Sequence, residues 1–318
     1  MSRPTFLSLG SVNADFEMRA PEELGRSETL AVQDLRRLSG GKAANRAWLA
    51  RRFGHDARLF GCVGDDDLAD QALAGPRAAG VDLSGVSRTA GSGTAISLIV
   101  VPPSGKKHIL LAPNANAQWD EAAAAAITDA IADALPTSVL TADYEVPAAI
   151  VRRAVEAAAR RGVRVVIDPA PGAQAERAIL AQAVALTPNV EEASALTGID
   201  CASAAGVRRA AEALAELGVE LVCLKLADGG AFVILHGDAF RLPPAPTTVE
   251  DSTGAGDAFS AAVGIALLEG RPLLQAACLG VAAASAAVAG FGSQIDALAP
   301  DRIRSDAEML MGRMEHLA

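Results

Sequence analysis

From Trp119 onward the chain alternates short apolar runs with longer amphipathic ones, and this alternation restricts the fold more than any other feature. Helices are expected over 120–135, 147–161, 175–182, 191–196 and 204–218, and strands over 138–142, 163–167, 183–186 and 221–226. Strands separated by helices pair in parallel, and the intervening helices cover both faces of the sheet. Upstream, strands at 5–12 and 57–63 and a helix at 68–79 continue the pattern. A hairpin around 229–241 and an Ala-rich helix at 274–289 complete it. The expected class is α/β: a mostly parallel central sheet with helices on both faces. No internal repeat is visible.

Two stretches interrupt the pattern. Segments 94–101 and 107–111, joined by Pro102-Pro103-Ser104-Gly105, predict a β-hairpin. Residues 21–38 are polar and irregular. Together they suggest a small β-sheet lid, drawn from about 13–38 and 92–112, on one α/β domain spanning 1–318. The lid's strand edges would be unpaired in a monomer, so pairing across a two-fold axis predicts a homodimer through the lid.

A chain of 318 residues has room for about two domains, or for one large α/β unit with an insertion. At 51% hydrophobic and 21% charged it can bury a large core. A net charge of −10 argues against nucleic acid or an anionic membrane as partner. Cys62, Cys201, Cys223 and Cys278 show no C-x-x-C spacing, which fits reduced thiols in a cytoplasmic protein. Neither a leader nor an apolar run of about 18–20 residues is apparent, so no membrane span is expected.

The chemistry is concentrated in 249–270, VEDSTGAGDAFSAAVGIALLEG. Gly254 and Gly256 stand where a loop becomes the first turn of a helix. There the backbone N–H groups lack intrahelical acceptors, and without Cβ atoms an anion can reach them. Asp257 projects from the same turn. An anion cradle beside a carboxylate suits phosphoryl transfer: amides neutralise the moving group and the acid takes a proton from an attacking hydroxyl. A core helix with an N-terminal charge would explain this stretch equally well by itself. Two earlier places matter as well. Asn13 and Asp15 share a face if the first strand continues, near where ligands bind in open α/β sheets. Gly40-Gly41-Lys42-Ala43-Ala44-Asn45 opens a helix with paired glycines, and the Asn45 amide can both donate and accept with sugar hydroxyls. Neither Gly41-Lys42 nor Gly105-Lys106 has Walker A spacing, and no turn matches G-x-G-x-x-G.

Taken in order, GSVNAD, GGKAAN, TPNVEEASALTG and DSTGAGDAF resemble the ribokinase-like (PfkB) sugar kinase family over nearly the whole chain. Asn13-Ala14-Asp15, Lys42, APNAN at 112–116 and Glu145-Val146-Pro147 are most similar to its ribokinase branch. The resemblance implies an ATP-dependent kinase for a small sugar, ribose first. It makes Asp257 the general base and Gly254, Ala255 and Gly256 the anion hole. Asn13, Asp15, Gly41, Lys42, Asn45 and Glu145 match sugar-contacting positions. Asn189, Lys225, Ala227 and Gly230 match the nucleotide side. Glu192 belongs with magnesium and its waters, and Asp251 and Thr253 with a monovalent cation such as potassium. Ala227 stands where a glycine is usual, and Asp296 where a small hydroxyl residue is usual, which bears on adenine contacts and on potassium. Within the same chemistry, a nucleoside kinase, a fructokinase and a 2-keto-3-deoxygluconate kinase are alternatives. Outside it stand a catalytically silent sugar- or nucleotide-binding regulator and, less well matched, an oxidoreductase.

Overall fold

A computed structural model describes residues 3–25, 29–103 and 107–317. Ser104 and Gly105 of the expected hairpin loop, with Lys106, lie outside the described residues. The strands are β1 (Thr5–Leu9), β2 (Asn13–Arg19), β3 (Gln33–Gly40), β4 (Asp56–Gly64), β5 (Asp82–Thr89), β6 (Ala95–Val101) and β7 (His108–Ala112). They continue as β8 (Val139–Asp143), β9 (Arg164–Asp168), β10 (Ala185–Leu186), β11 (Leu221–Lys225), β12 (Ala231–Leu235), β13 (Asp238–Leu242) and β14 (Glu315–Leu317).

Ten of them form one sheet, in the order β14-β13-β12-β11-β10-β9-β8-β1-β4-β5. The pairings from β11 to β5 are parallel, and β12, β13 and β14 are added antiparallel. β1 shows why the sheet must be covered twice. Phe6 points into one apolar cluster with the helices Lys42–Arg52, Ala255–Leu268 and Leu273–Ala287, while Leu7 and Leu9 point into the other with Ala148–Arg161. Side chains alternate across a strand, so a strand apolar at successive positions needs packing on both sides.

The other four strands form a separate sheet, β3-β2-β6-β7. Its β6–β7 hairpin lies where the sequence places one. Two expectations are corrected. The first strand does not run to residue 12; it ends at Leu9, and Asn13 begins β2 in the small sheet. Residues 33–40 are not irregular but form β3, because β2 offers them an antiparallel partner that a polar sequence does not advertise. The edge strand β5 and the helix Pro300–Met311 carried no expectation at all.

Candidate active site

Lys225 at the end of β11 and Glu145 just after β8 share a cavity of about 520 Å³ with Asn13, Asp15, Ser97 and Ile99 of the small sheet. Asn13, Asp15, Gly41, Lys42, Asn45 and Glu145 line it on one side. Gly254, Ala255, Gly256 and Asp257 line it on another. A second cleft of about 760 Å³ adjoins it, sharing Lys42, Leu111, Glu145, Asn189, Glu191 and Glu192.

Helix Ala255–Leu268 begins at the cavity wall. Gly254 caps it in the left-handed region, φ 75°, where an L side chain is strained. A Cβ there would also lie 2.6 Å from Ser293 Cβ. Gly41 caps the helix Lys42–Arg52, also at positive φ (94°) but with an extended ψ of 137°, and its would-be Cβ lies 2.5 Å from the Ser11 carbonyl. Both helices therefore begin with bare backbone facing the cavity.

The Asp257 carboxylate is positioned from the other helix: Asn45 Nδ2 donates to its Oδ2 at 2.7 Å. Asn45 Oδ1 in turn accepts from Ser293 Oγ and Gln294 Nε2, each at 3.0 Å. Lys42 Nζ lies 3.8 Å from Asp257 Oδ1 and 3.8 Å from Glu145 Oε1. Burial opposes the Lys42 charge, but Glu145, Asp257, Asp168 and Glu192 together hold its pKa well above the usual lysine value. Glu145 Oε2 accepts from Ser11 Oγ at 2.6 Å, and Ser11 Oγ accepts from the Lys42 N–H at 2.9 Å.

The small sheet contributes Asn13 and Asp15, two apart on its inner face. Asn13 is bound by Ser97 and Asn116: its Nδ2 donates to Ser97 Oγ at 3.1 Å and its Oδ1 accepts from Asn116 Nδ2 at 2.8 Å. Asp15 is buried, and its Oδ1 has no hydrogen-bond partner. Burial raises its pKa to about 7, with Ser97 opposing and the negative Asp257 and Glu145 adding. A buried carboxylate oxygen without a partner is costly, and a ligand hydroxyl would satisfy it.

Where the two clefts meet, Asn189 and Glu192 form a capping box. Asn189 N and Nδ2 donate to the two Glu192 carboxylate oxygens at 2.8 and 2.9 Å, and the Glu192 N–H donates back to Asn189 Oδ1. Lys225 pairs with Asp168 at 3.4 Å, and its Nζ would be 3.3 Å from a Cβ on Gly256. Burial alone would raise the Asp168 pKa, but Lys225, Lys42 and Arg46 bring it below the ordinary range. Gly230 lies at the cavity rim, and its N–H donates to Asp228. Ala227 is exposed and does not line the cavity, so the structure does not bring it to the other site residues. Asp251 and Thr253 are joined: Asp251 Oδ1 accepts from Thr253 N and Oγ1, and Asp251 Oδ2 from the Gly292 N–H. Asp296 is exposed.

Several residues that shape this site carry no sequence signal. Arg46 and Asp143 are wholly buried and bonded at 2.7 Å. Asp143 Oδ1 accepts from the Glu145 N–H, so this pair holds the turn that presents Glu145. Glu17, on the same inner face as Asp15, is fully buried beside Thr253 and has an unpartnered Oε2. Only pairing across the fold identifies these groups, although Asn116 sits in the APNAN stretch already singled out.

With the fold and the cavity in view, comparison with known proteins fits both. Residues 4–300 match the model of the pfkB family carbohydrate kinases. A ribokinase from Haemophilus influenzae is 30% identical over 292 residues, spanning 92% of this chain and 94% of that protein. The structure of Arabidopsis thaliana ribokinase complexed with ribose and ATP superimposes with a TM-score of 0.79 at 25% identity, covering 98% of this chain and 99% of that one. Thermotoga maritima ribokinase gives 0.77 at 27% identity, with 98% and 100% covered. The chain belongs to the pfkB family of carbohydrate kinases. It is an enzyme, an ATP-dependent sugar kinase.

Proposed function

We propose that the chain transfers the γ-phosphoryl group of ATP to a hydroxyl of ribose, giving ribose 5-phosphate, with Asp257 as general base. The observation that carries this reading is the Asp257 carboxylate itself. It is held at one oxygen by Asn45, lies within reach of Lys42 at the other, and projects from the turn that begins at Gly254. The attacking hydroxyl gives its proton to Asp257 while its oxygen bonds to phosphorus. The bond to the ADP oxygen breaks, and the N–H groups of Ala255 and Gly256 face the transferring group.

Asn13, Asp15, Gly41, Lys42, Asn45 and Glu145 hold the sugar. The unpartnered Asp15 oxygen and the Lys42–Glu145 pair favour a small polyhydroxylated acceptor, and relatives named ribokinase favour ribose among such acceptors. Asn189, Lys225 and Gly230 lie on the nucleotide side, with the exposed Ala227 loop at its edge. Magnesium, when bound, neutralises phosphate oxygens. Glu192 would hold it through water, since both its carboxylate oxygens already accept from Asn189. For potassium, Asp251 and Thr253 together with the orphaned Glu17 oxygen form an oxygen-rich pocket of the kind a cation suits. The small sheet acts as a lid from about 13–38 and 92–112 on a single α/β domain. Its exposed Leu98 and Leu110, opposite one another across β6–β7, support a homodimer formed through it.

The test is an ADP-release screen of pentoses, hexoses, keto-acids and nucleosides, with and without potassium. Ribose is expected to give the highest kcat/KM. Preference for a nucleoside or a hexose would replace ribose, and no acceptor-dependent ADP at all would leave a silent binding protein.

A further inference from the structure

We infer that Lys107 is the cation that the small sheet delivers to the transferring phosphoryl group, a catalytic residue for the kinase reaction on whose proposed form this inference rests. Lys107 stands immediately before β7, on the sheet that faces the large one across the cavity. Its Nζ crosses the cavity and donates to the Ser252 carbonyl at 3.1 Å, two residues before the Gly254 cap.

Three lysines line this cavity: Lys42, Lys107 and Lys225. Two are committed to carboxylates, Lys42 to Glu145 and Asp257, and Lys225 to Asp168. Lys107 forms no ion pair among the described residues, and the bond it does make is to a neutral carbonyl. Burial pulls its pKa below the usual lysine value and Lys42 adds to that, while Asp251, Asp257 and Glu17 act the other way. An ammonium held by a carbonyl gains when a phosphate oxygen takes the carbonyl's place, because it then faces a full negative charge instead of a carbonyl dipole.

The chemistry needs such a group. The proton of the sugar hydroxyl goes to Asp257, an oxygen–phosphorus bond forms, and the bond from phosphorus to the ADP oxygen breaks with its electron pair leaving on ADP. Negative charge on the equatorial phosphoryl oxygens is then faced by helix amides on one side. Lys107 faces it from the other. Because this cation comes from the small sheet, the site is fully charged only when that sheet lies over the cleft, which ties turnover to closure.

Kinetics of the unaltered chain, Lys107→Met and Lys107→Arg test this, with ADP plus aluminium fluoride in the presence of sugar as a probe of the planar phosphoryl group. Lys107→Met is expected to lower kcat roughly 100-fold, the scale of losing one charge-stabilising donor. The KM for sugar should stay within about threefold. Lys107→Arg should recover part of the loss. ADP alone should bind all three proteins equally, and aluminium fluoride should tighten ADP binding in the unaltered chain and the Arg variant but not in the Met variant. If Lys107→Met does not fold by circular dichroism, Lys107→Gln takes its place with the same expectation. A neutral variant with near-normal kcat and intact aluminium fluoride response would overturn the role of Lys107 alone. Absence of sugar-dependent ADP release from the unaltered chain would instead remove the kinase reading, and Lys107's role with it.

Discussion

The two sheets are built to different standards of burial. In the large sheet, Phe6 to Leu9 of β1 and all of β8 are buried, packed between helices on both faces. In the small sheet, every residue of β7 is exposed, as are Gln33 to Arg37 of β3. Cooperative stability should therefore reside in the large sheet, whereas the small one is the kind of region that opens locally at low cost. The chemistry divides along the same line. Asp257, Asn45 and Lys42 sit on helices packed against the large sheet and are braced by several neighbours. Asp15 and Lys107 come from the small sheet, one with an unpartnered oxygen and the other bonded only to a carbonyl among the described contacts. One region's polar groups are braced by protein partners; the other leaves a carboxylate oxygen without one.

The largest expected effect tests the rigid side. Asp257→Asn keeps the shape of the site but removes the proposed base, and should lower kcat by at least about 100-fold with sugar affinity little changed. Steady-state kinetics check this; near-normal turnover would take Asp257 out of its role and blur the distinction between the two regions.

A smaller effect is expected on the exposed side. Leu110→Lys places a charge on the exposed face of β7, opposite Leu98. It should convert a dimer to a monomer in analytical ultracentrifugation. The melting temperature should move by no more than a few degrees, because little core is touched. A collapse of stability would show that the small sheet is part of the cooperative unit after all.

The smallest effect concerns Asp15. Its pKa rises from 3.8 in an ordinary carboxylate to about 7 in the fold. Between those values the folded protein holds a proton that the unfolded chain has already released, so stability falls as pH rises through that window. Asp15→Asn removes this dependence. Thermal melts of the ligand-free protein between about pH 5 and pH 7.5 should fall by a few degrees in the unaltered chain and be flatter in the variant. Parallel slopes would mean that Asp15 is already ionised in the empty site.

Much of this was legible in the chain. Strand–helix alternation is a local property, since each element's apolar period can be read without knowing its neighbours. The glycines at Gly41 and Gly254 were legible for a similar reason: backbone conformation restricts residue type at that very position. β3 was not legible, because its polar residues become a strand only once β2 pairs with them. Nor was the Arg46–Asp143 pair, whose members are 97 residues apart and each unremarkable alone. The same holds for Lys107, which reads as a surface lysine until Ser252, 145 residues on, is placed beneath it.

The sequence by itself determined the parallel α/β plan and the two bare helix starts, because periodicity and the absence of Cβ act within a few residues. Only the tertiary structure decided which side chains share the cavity, which carboxylates are paired and which oxygens remain unpartnered. Charge and desolvation depend on distance through space, and sequence separation carries almost no information about that distance.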